Sequence, residues 1–508
     1  MLLKNIFLLR SSITAFSFLL LISLCHTGYS QNELSTTDLQ KDLTIIRDIA
    51  IGTAPMLSKE MESAIAEKIQ QKIGELESQS LDVIEFTKFL SKLNLETPFD
   101  EHAEMELGEE VLRPLLTGSM IFPIPVTVID SLIVVNSTKF EIPFGSILKS
   151  INGEPIDSLK KLLGWTTDSF DQRHLENQFS LMYLVNKGGS ESYRIGYSAP
   201  DNPHKRLEEV VMGTDFNGFV DNMNQGSVYP IDRDLYNQNI NTKFYEEQSA
   251  FYLRLNSFSW YDKESKGLKK LKSDRANFKK AFNNVFREIQ NTGADHLIID
   301  LRYNYGGNLL IPGLLYSYMA NESFIENVKL EIGDFTLPHR NLLVKVDDKE
   351  VSDKKDIDTF ISRYQSEFTK TAVGYEWVYI NSESIKPAKF AFKGKVYLLI
   401  GGRTISAASY FTALFKSAAR GQIIGEQIGG SHHSITAGTD VTYQLPGSNI
   451  IVTVPLMLVH FSDEVYKAVP EKKINPDINL ATDTFYQHFL NQKDPELEET
   501  LKLIAEQQ

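Results

Sequence analysis

One stretch, residues 396–430, constrains the fold of this chain more than any other: VYLLIGGRTISAASYFTALFKSAARGQIIGEQIGG. Its first five residues are apolar and partly β-branched, which predicts a short buried strand. Two glycines end that run, and the apolar spacing of residues 407–419 then predicts an amphipathic helix. The chain must therefore pass from strand to helix around Ser406.

A serine at the start of a helix has two interpretations. Free backbone N–H groups and the positive end of the helix dipole would stabilise the negative charge that a nucleophilic Ser406 generates. The simpler interpretation is an N-cap, whose hydroxyl accepts a hydrogen bond from the first helical turn. Taken alone the stretch favours the cap, because single short motifs are weak indicators of function.

The size and charge of the chain narrow the class of protein. At 508 residues it is too long for one ordinary hydrophobic core, so two or three domains are expected. Hydrophobic residues make up 42% and charged residues 23%, which is typical of a globular protein. The net charge of −14 is spread along the sequence without a basic face, so no nucleic-acid partner is expected.

The first thirty residues have the pattern of a signal peptide. Two basic residues precede an apolar run at 13–24, and small residues stand at positions 28 and 30, just before Gln31. A lipoprotein would instead be cleaved before Cys25, but Leu24 is a poor residue at that cleavage site. We therefore expect an exported protein, periplasmic, cell-envelope or extracellular, without a lipid anchor at Cys25.

Cleavage after Ser30 would leave a mature chain without cysteine, because Cys25 is the only one. Disulfides, thiolate metal sites and a cysteine nucleophile are then excluded. The ten histidines show no H-E-x-x-H or comparable spacing, so neither a metal nor another cofactor is expected. No later stretch is apolar over the length that a transmembrane helix needs.

Changes in periodicity divide the chain into regions. Helical spacing dominates the first region, and short strands dominate the second, where strands are expected at 179–185 and 192–197. We predict, in order, a signal peptide (1–30), an N-terminal helical domain (31–117), a β-rich domain (118–200), a linker (201–245), a core (246–482) with an insertion (325–390), and a C-terminal helix (483–508).

The β-rich domain contains FGSILKSINGEPI at 144–156. This resembles the G-x-x-I-x-x-I-N-G-x-x-I segment of PDZ domains, which bind an extended peptide by adding it to a sheet edge. The alternative is a plain hairpin with an Asn-Gly turn followed by a helix. The resemblance implies a PDZ-like module that holds polypeptide.

A second strand-to-helix junction follows residues 297–301, where the chain reads RYNYGGN before a new helix. Consecutive glycines at 306 and 307 let backbone N–H groups approach whatever lies above the sheet. Gly306 and Gly307 are therefore candidate oxyanion donors, although a purely structural turn would also use glycine.

Together the two junctions resemble peptidase family S41, the tail-specific serine peptidases. Residues 300–308, DLRYNYGGN, are similar to the family's D-L-R-x-N-x-G-G motif, and residues 404–407, TISA, to its T-x-S-A segment. Residues 425–430, GEQIGG, and the closing INPDI at 474–478 extend the likeness. The resemblance implies an α/β fold with a crotonase- or ClpP-like ββα core, Ser406 as nucleophile, and an oxyanion hole from Gly306 or Gly307 together with Ala407.

The general base distinguishes two branches of that family. The Ser-Lys branch has a lysine after the second glycine pair, whereas this chain has His432 and His433 there. The tricorn-like branch takes a histidine from a D-x-H segment, which residues 100–102, DEH, resemble. The resemblance thus implies His102 as base, with His432 and His433 in reserve, and Glu471 or alternatively Glu464 as the acid that orients the histidine.

These expectations lead to a secreted serine endopeptidase that hydrolyses extended or unfolded polypeptides through a Ser406 acyl-enzyme. The competing hypothesis is a non-catalytic protein on the same fold that binds peptides or hydrophobic ligands. Loss of activity would leave a capping role for the serine intact.

Overall fold

A computed structural model describes residues 33–53, 59–76, 81–91, 104–162, 179–229, 238–260, 267–333, 335, 337–347, 349–372, 374–380, 384–471 and 473–507. The expected signal peptide, Cys25 and His102 lie outside these residues. None of the helices in these ranges combines the length and hydrophobicity that a membrane span requires.

The N-terminal region is helical, as its apolar spacing predicts. Helix α1 buries Leu39, Leu43 and Ile46 against the hydrophobic core that continues into the rest of the protein. The elements of this region are α1 (Thr36–Thr53), α2 (Lys59–Glu75), α3 (Val83–Ser91), strand β1 (Glu104–Glu106) and α4 (Glu109–Thr117). Strand β1 belongs to the largest sheet, because it pairs with one of the strands of that sheet.

A six-stranded sheet follows, with the strand order β2-β3-β4-β6-β7 and β5 paired to β4. Its turn at Asn152 and Gly153 has positive φ at both residues, 51° and 84°, as the Asn-Gly pair predicts. The elements are β2 (Val126–Ile129), β3 (Leu132–Val135), β4 (Ile147–Ile151), β5 (Glu154–Pro155), α5 (Ile156–Leu162), α6 (Phe179–Lys187), β6 (Ser192–Ala199) and β7 (Asn202–Met212).

Two expectations for this region are corrected. The segment predicted as a strand at 179–185 is helix α6, because a continuous apolar run does not distinguish a buried strand from a buried helix. The predicted linker begins with β7, an 11-residue edge strand whose side chains are mostly exposed and polar. Such a strand lacks the apolar run by which buried strands are detected.

The second sheet has five strands in the order β17-β16-β10-β9-β8. Strands β9, β10, β16 and β17 run parallel, and only β8 is antiparallel. Its elements, with the helices between them, are α7 (Phe216–Asp221), a π-helical turn (Asn222–Gly226), β8 (Ile240–Tyr245), β9 (Ala250–Leu255), α8 (Gly267–Thr292), β10 (His296–Asp300) and α9 (Ile311–Ser317). Strand β16 (Lys395–Ile400), helix α11 (Ala407–Ser417) and β17 (Gln422–Gly425) complete it.

The predicted insertion at 325–390 supplies strands to a third, eight-stranded sheet. The sheet follows the order β13-β12-β18-β19-β11-β15-β14, with β1 on β19. Its elements are β11 (Asn327–Ile332), a 3-10 turn (Arg340–Leu342), β12 (Leu343–Val346), β13 (Lys349–Glu350), α10 (Lys354–Glu367), β14 (Thr369–Lys370), β15 (Tyr375–Ile380), β18 (Ser434–Gln444) and β19 (Ile451–His460). Helices α12 (Asp463–Ala468), α13 (Thr482–Leu490) and α14 (Pro495–Ala505) end the chain.

The topology brings the two strand-to-helix junctions together. Strands β10 and β16 are neighbours in parallel register, with His296 opposite Lys395 and Asp300 opposite Leu399. Their carboxyl ends therefore lie side by side, and the helices that follow, α9 and α11, pack against each other. In parallel α/β sheets this edge is where ligands are usually bound.

Candidate active site

The junction between β16 and α11 places Ser406 in a conformation that a serine rarely adopts. Its φ is 55° and its ψ is −129°, and its side chain makes no capping hydrogen bond to the helix. The residue is only 6% exposed. The N-cap interpretation is therefore not supported, since within the described residues the Ser406 hydroxyl accepts no hydrogen bond from the first turn of α11. Backbone strain of this kind clusters at functional sites.

Hydrogen bonds from neighbouring side chains hold the strained junction. The Thr404 hydroxyl donates to the Leu301 carbonyl (2.8 Å) and accepts from the Gly401 N–H (3.1 Å). The Ser409 hydroxyl in turn donates to the Thr404 carbonyl (3.0 Å). Thr404 thus ties the end of β16 to the end of β10, which fixes the position of Ser406 relative to the neighbouring turn.

The turn after β10 lies directly against the serine. Gly306 has φ of 88°, and a Cβ atom on it would stand 2.7 Å from the Ser406 Cβ and 2.9 Å from the Ala407 nitrogen. Real Cβ atoms do not approach other atoms so closely, so only glycine fits this position. Asn304 stabilises the turn from within, since its Oδ1 accepts from the Gly306 N–H (2.8 Å) and its Nδ2 donates to the Leu255 carbonyl (3.1 Å).

The backbone N–H groups at the junctions differ in their availability. The Gly306 N–H is engaged by Asn304. Gly307 has φ of 127° and forms a bridge with Phe258 that uses only the flanking peptide groups, Gly306 O and Asn308 N. Within the described structure the N–H groups of Gly307 and Ala407 donate no hydrogen bond. These two donors are free to bind an external acceptor.

A buried ionic network anchors the turn from below. The Arg302 guanidinium donates to Asp300 (2.7 Å), to Asp494 (2.7 Å) and to Glu496 (2.9 Å). Asp300 also accepts from the Tyr252 hydroxyl (2.6 Å). Burial opposes ionisation of Asp300, but Arg302 more than offsets it and lowers the pKa of Asp300 to about 2. Helix α14 therefore supports the glycine turn through Asp494 and Glu496.

A cavity of about 390 Å³ opens beside Ser406 and Gly307. That volume lies within the range of roughly 300–1,000 Å³ that is usual for ligand pockets. Its wall combines residues from the loops and the helix that follow strands of the five-stranded sheet, from the eight-stranded sheet, and from the region predicted as an insertion. The apolar part includes Leu271, Leu309, Leu330, Met457 and Val459, and the charged part consists of Lys270, Asp274, Asp347 and Glu367.

Sequence reasoning missed Lys270 and Asp274, which face this cavity from α8. The Lys270 ammonium donates to both Asp274 oxygens (2.9 and 3.0 Å) and to the Trp260 carbonyl (2.8 Å). No motif surrounds them, and their i, i+4 spacing is that of an ordinary helical ion pair. Only the tertiary fold brings them beside the serine.

The reserve histidines, His432 and His433, are held by contacts of their own. His432 is 1% exposed, and its Nε2 is 2.8 Å from the Val469 carbonyl oxygen. Burial lowers its pKa, as it does for His433. The His433 ring stacks on Tyr466 with centroids 3.7 Å apart. Neither histidine is among the described residues that contribute to the cavity wall.

The two candidate glutamates lie at different ends of α11. The Glu471 carboxylate is paired with Lys416 Nζ (3.4 Å), ten residues and about 15 Å along the helix from Ser406. Glu464 is the second residue of α12 and accepts from the Ser462 hydroxyl (2.7 Å). Burial, with smaller contributions that include the charge of Glu464, raises the pKa of Tyr410 well above its usual value. Glu464 is therefore near Tyr410, one helical turn from the serine.

Metal-binding geometry is absent from the part of the chain that the structure describes, since no group of three histidine, cysteine, aspartate or glutamate side chains converges there. The available chemistry in these residues is a strained hydroxyl, two free N–H donors and a partly apolar cavity.

Solved structures of CPAF are similar to almost the whole chain. A structure of mature CPAF complexed with lactacystin has a TM-score of 0.53 at 14% identity and covers 93% of this chain and 99% of the other. A crystal structure of a CPAF mutant has a TM-score of 0.56 at 13% identity, with coverage of 93% and 98%. At such low identity the likeness establishes the fold alone. Among curated proteins, none matches the sequence.

The α/β core and the domain match place the chain in the class of serine-type peptidases. The model of peptidase family S41 matches residues 250–480 of this chain. That range contains both junctions and most of the cavity wall.

Proposed function

We propose that this protein is an exported endopeptidase that cleaves extended or unfolded polypeptides through an acyl-enzyme at Ser406, with His102 as general base. The observation that carries the proposal is the strained Ser406, whose hydroxyl does not cap its helix and which lies against a glycine turn beside a cavity. A capping or binding role would not require a positive φ at this residue.

The chemistry follows from the groups available at the two junctions. The Ser406 Oγ attacks the scissile carbonyl carbon while its proton passes to the base. The N–H groups of Gly307 and Ala407 donate to the developing oxyanion, and Gly306 permits the close approach of the two backbones. Collapse of the intermediate breaks the C–N bond, and the leaving amine takes the proton. Water then gives a proton to the base and attacks the acyl carbon, and collapse of this second intermediate breaks the bond to the Ser406 Oγ, which takes the proton back.

His102 is proposed as the base from its motif and from its position in the sequence. It precedes Glu104 by two residues, and the backbone of Glu104 pairs with Thr453 of β19. From Thr453, strand β19 runs on to Met457 and Val459 in the cavity wall. Lys270 is the competing base, but its ammonium is already bound by Asp274. As orienting acid we favour Glu464 over Glu471, because Glu464 lies at the serine end of α11.

The six-stranded sheet is proposed to be a PDZ-like module that holds substrate. Support comes from its Asn152-Gly153 turn and from β7, whose outer edge has no partner strand among the described residues. Export is proposed from the first thirty residues. Terminal sequencing of the secreted protein should begin at Gln31, whereas retention of residues 1–30 would contradict export.

The function can be tested by casein hydrolysis with a panel of variants. Ser406→Ala is expected to lower the rate by at least about 10³-fold. His102→Ala should lower it similarly, while Lys270→Met and His432→Ala should leave most activity. Glu464→Gln should lose more activity than Glu471→Gln. A folded wild-type protein that hydrolyses neither casein nor shorter peptides, yet binds them, would support the non-catalytic alternative.

A further inference from the structure

Among the described residues, one carboxylate of the cavity beside Ser406 has no partner. Lys270 neutralises Asp274, and Arg363 donates to Asp347 (2.7 Å). Glu367 also lines the cavity, and within the described structure it forms neither a hydrogen bond nor an ion pair. Its Oε2 atom is buried. A buried carboxylate oxygen without a donor is unfavourable by itself, so its position calls for a partner that the chain does not provide.

The position of Glu367 in its helix makes the negative potential stronger. It is the last residue of α10, and the last turn of this helix contains no basic residue. Helix C-termini carry partial negative charge and normally favour cations. Arg363 lies one turn earlier, where it could pair with Glu367, but it binds Asp347 instead. An acidic residue at a helix C-terminus without a basic neighbour in the last turn departs from the usual charge preference of helices. Such departures are common at functional sites.

The remainder of the wall fits a long aliphatic chain. Leu330, Met457 and Val459 provide an apolar surface in the same cavity as Ser406 and Glu367. A ligand that satisfies both parts has a hydrocarbon stem and a cationic head. Among protein side chains only lysine and arginine have this combination, since both bury their methylene stems while the charge finds a polar partner.

We propose that this cavity receives a lysine or arginine side chain of the substrate, next to the scissile bond, with Glu367 binding its positive charge. The inference rests on the proposed function, because it assigns a specificity to the same site. It also gives the region predicted as an insertion a role, since α10 supplies the recognition residue.

Two matched peptides test the charge directly. They differ only at the residue before the cleaved bond, which is lysine in one and norleucine in the other, so that the stem is the same and only the ammonium changes. The wild-type protein should cleave the lysine peptide with a kcat/KM at least about tenfold higher, since a hydrogen bond to a charged group is worth that much. Glu367→Gln should bring the two peptides to parity.

Two further variants separate recognition from stability. Glu350→Gln changes an exposed glutamate of the same region and should keep the lysine preference. Glu367→Lys should reverse the preference toward a glutamate peptide. Because Glu367 has no partner in the part of the chain that the structure describes, Glu367→Gln should unfold at the same temperature as wild type or higher. A wild-type preference for norleucine or leucine, or a lysine preference that survives in Glu367→Gln, would overturn the inference.

Binding measurements distinguish the failure of this inference from failure of the proposed function. Calorimetric titration of Ser406→Ala with both peptides needs no catalysis. If wild type cleaves neither peptide but Ser406→Ala binds lysine more tightly than norleucine, the peptidase proposal fails and the assignment of Glu367 stands. Equal binding of the two peptides would contradict the assignment.

Discussion

The two strand-to-helix junctions of the five-stranded sheet both turn through residues with positive φ, but they use different residue types. After β10 the chain turns through Gly306 and Gly307, which adopt positive φ without strain. After β16 it turns through Ser406, which adopts positive φ at a cost. The glycines allow close approach, while the strained residue carries the hydroxyl. Of the two junctions, only the one that contains the proposed nucleophile has a non-glycine residue at positive φ.

The supports of the two junctions differ as well. Uncharged hydrogen bonds through Thr404 and Ser409 hold the serine junction. The glycine turn is held by Asn304 and by the ionic network of Arg302. The stability of the glycine turn after β10 should therefore depend on pH and on loss of charge more strongly than that of the serine junction after β16.

The largest effect on catalytic rate among these predictions is expected from filling the space between the junctions. Gly306→Ala would place a methyl group 2.7 Å from the Ser406 Cβ, so the turn and the serine must separate. A displacement of about 1 Å at a reacting group costs roughly 100-fold in rate. Peptide hydrolysis under saturating substrate measures this loss. Gly293→Ala is the matched control, because φ there is also positive (70°) but no atom lies within 4 Å. The control should keep its activity.

The second prediction concerns the charge beneath the glycine turn. Arg302→Met leaves Asp300 buried and unpaired, which should lower the free energy of unfolding by about 3–5 kcal/mol at neutral pH. The low pKa of Asp300, about 2, means that its ionised form stabilises the fold above its unfolded pKa of about 3.9. That stability is lost as the pH falls toward 2.

Denaturant unfolding at several pH values checks this prediction. The difference between wild type and Arg302→Met should be largest at neutral pH and narrow below about pH 4, as Asp300 becomes protonated in the variant. As a control, Arg113→Met removes a partly exposed helical ion pair with Glu109 and should cost about 1 kcal/mol or less. A difference that is independent of pH would contradict the electrostatic role of Arg302.

A smaller effect is expected at Glu326, which lies between the two helices that follow the junctions. Its Oε1 accepts from the Gly313 N–H of α9 (2.9 Å), and its charge contributes to raising the pKa of Tyr410 of α11. Burial raises the pKa of Glu326 to about 8. At a pH between the pKa of Glu326 in the unfolded chain, near 4.5, and its pKa in the folded protein, the unfolded chain has released a proton that the folded protein keeps. The free energy of unfolding therefore falls as the pH rises through this range.

Glu326→Gln should remove this pH dependence while keeping an acceptor for Gly313. The variant should melt above wild type at pH 8, and the gap should shrink toward pH 5. Thermal unfolding from pH 5 to 8 provides the comparison, with Glu322→Gln as an exposed control that should follow wild type. Parallel curves for wild type and Glu326→Gln would show that the buried carboxyl does not titrate as expected.

The smallest effect isolates the strain itself. Ser406→Gly and Ser406→Ala both remove the hydroxyl, but only glycine adopts φ of 55° freely. Ser406→Gly should therefore be more stable than Ser406→Ala by about 1 kcal/mol, although both lack the nucleophile. Equal stability in denaturant unfolding would mean that the junction relaxes when the hydroxyl is removed.

Local sequence was sufficient to predict the two junctions. Their strands are largely apolar runs followed by turns that contain glycines, so both position and type follow from periodicity and turn chemistry. Which side chains converge depends on pairings distant in sequence. Lys270 and Glu367 reach the cavity only through tertiary packing, and no local pattern marks them.

Other parts resisted prediction for identifiable reasons. The apolar run of α6 has no clear period, and the polar edge strand β7 has little to bury. The positive φ of Ser406 could not be predicted from the sequence, because glycine marks such positions and serine does not. The assignment of His102 remains a prediction, since that residue lies outside the described ranges.

The central claim is that Ser406 is the nucleophile. Labelling the mature protein with a fluorophosphonate, followed by mass spectrometry of its peptides, tests that claim directly. The adduct should lie on Ser406, and labelling should disappear in Ser406→Ala and fall sharply in His102→Ala. An adduct on another residue, or equal labelling of wild type and Ser406→Ala, would contradict it.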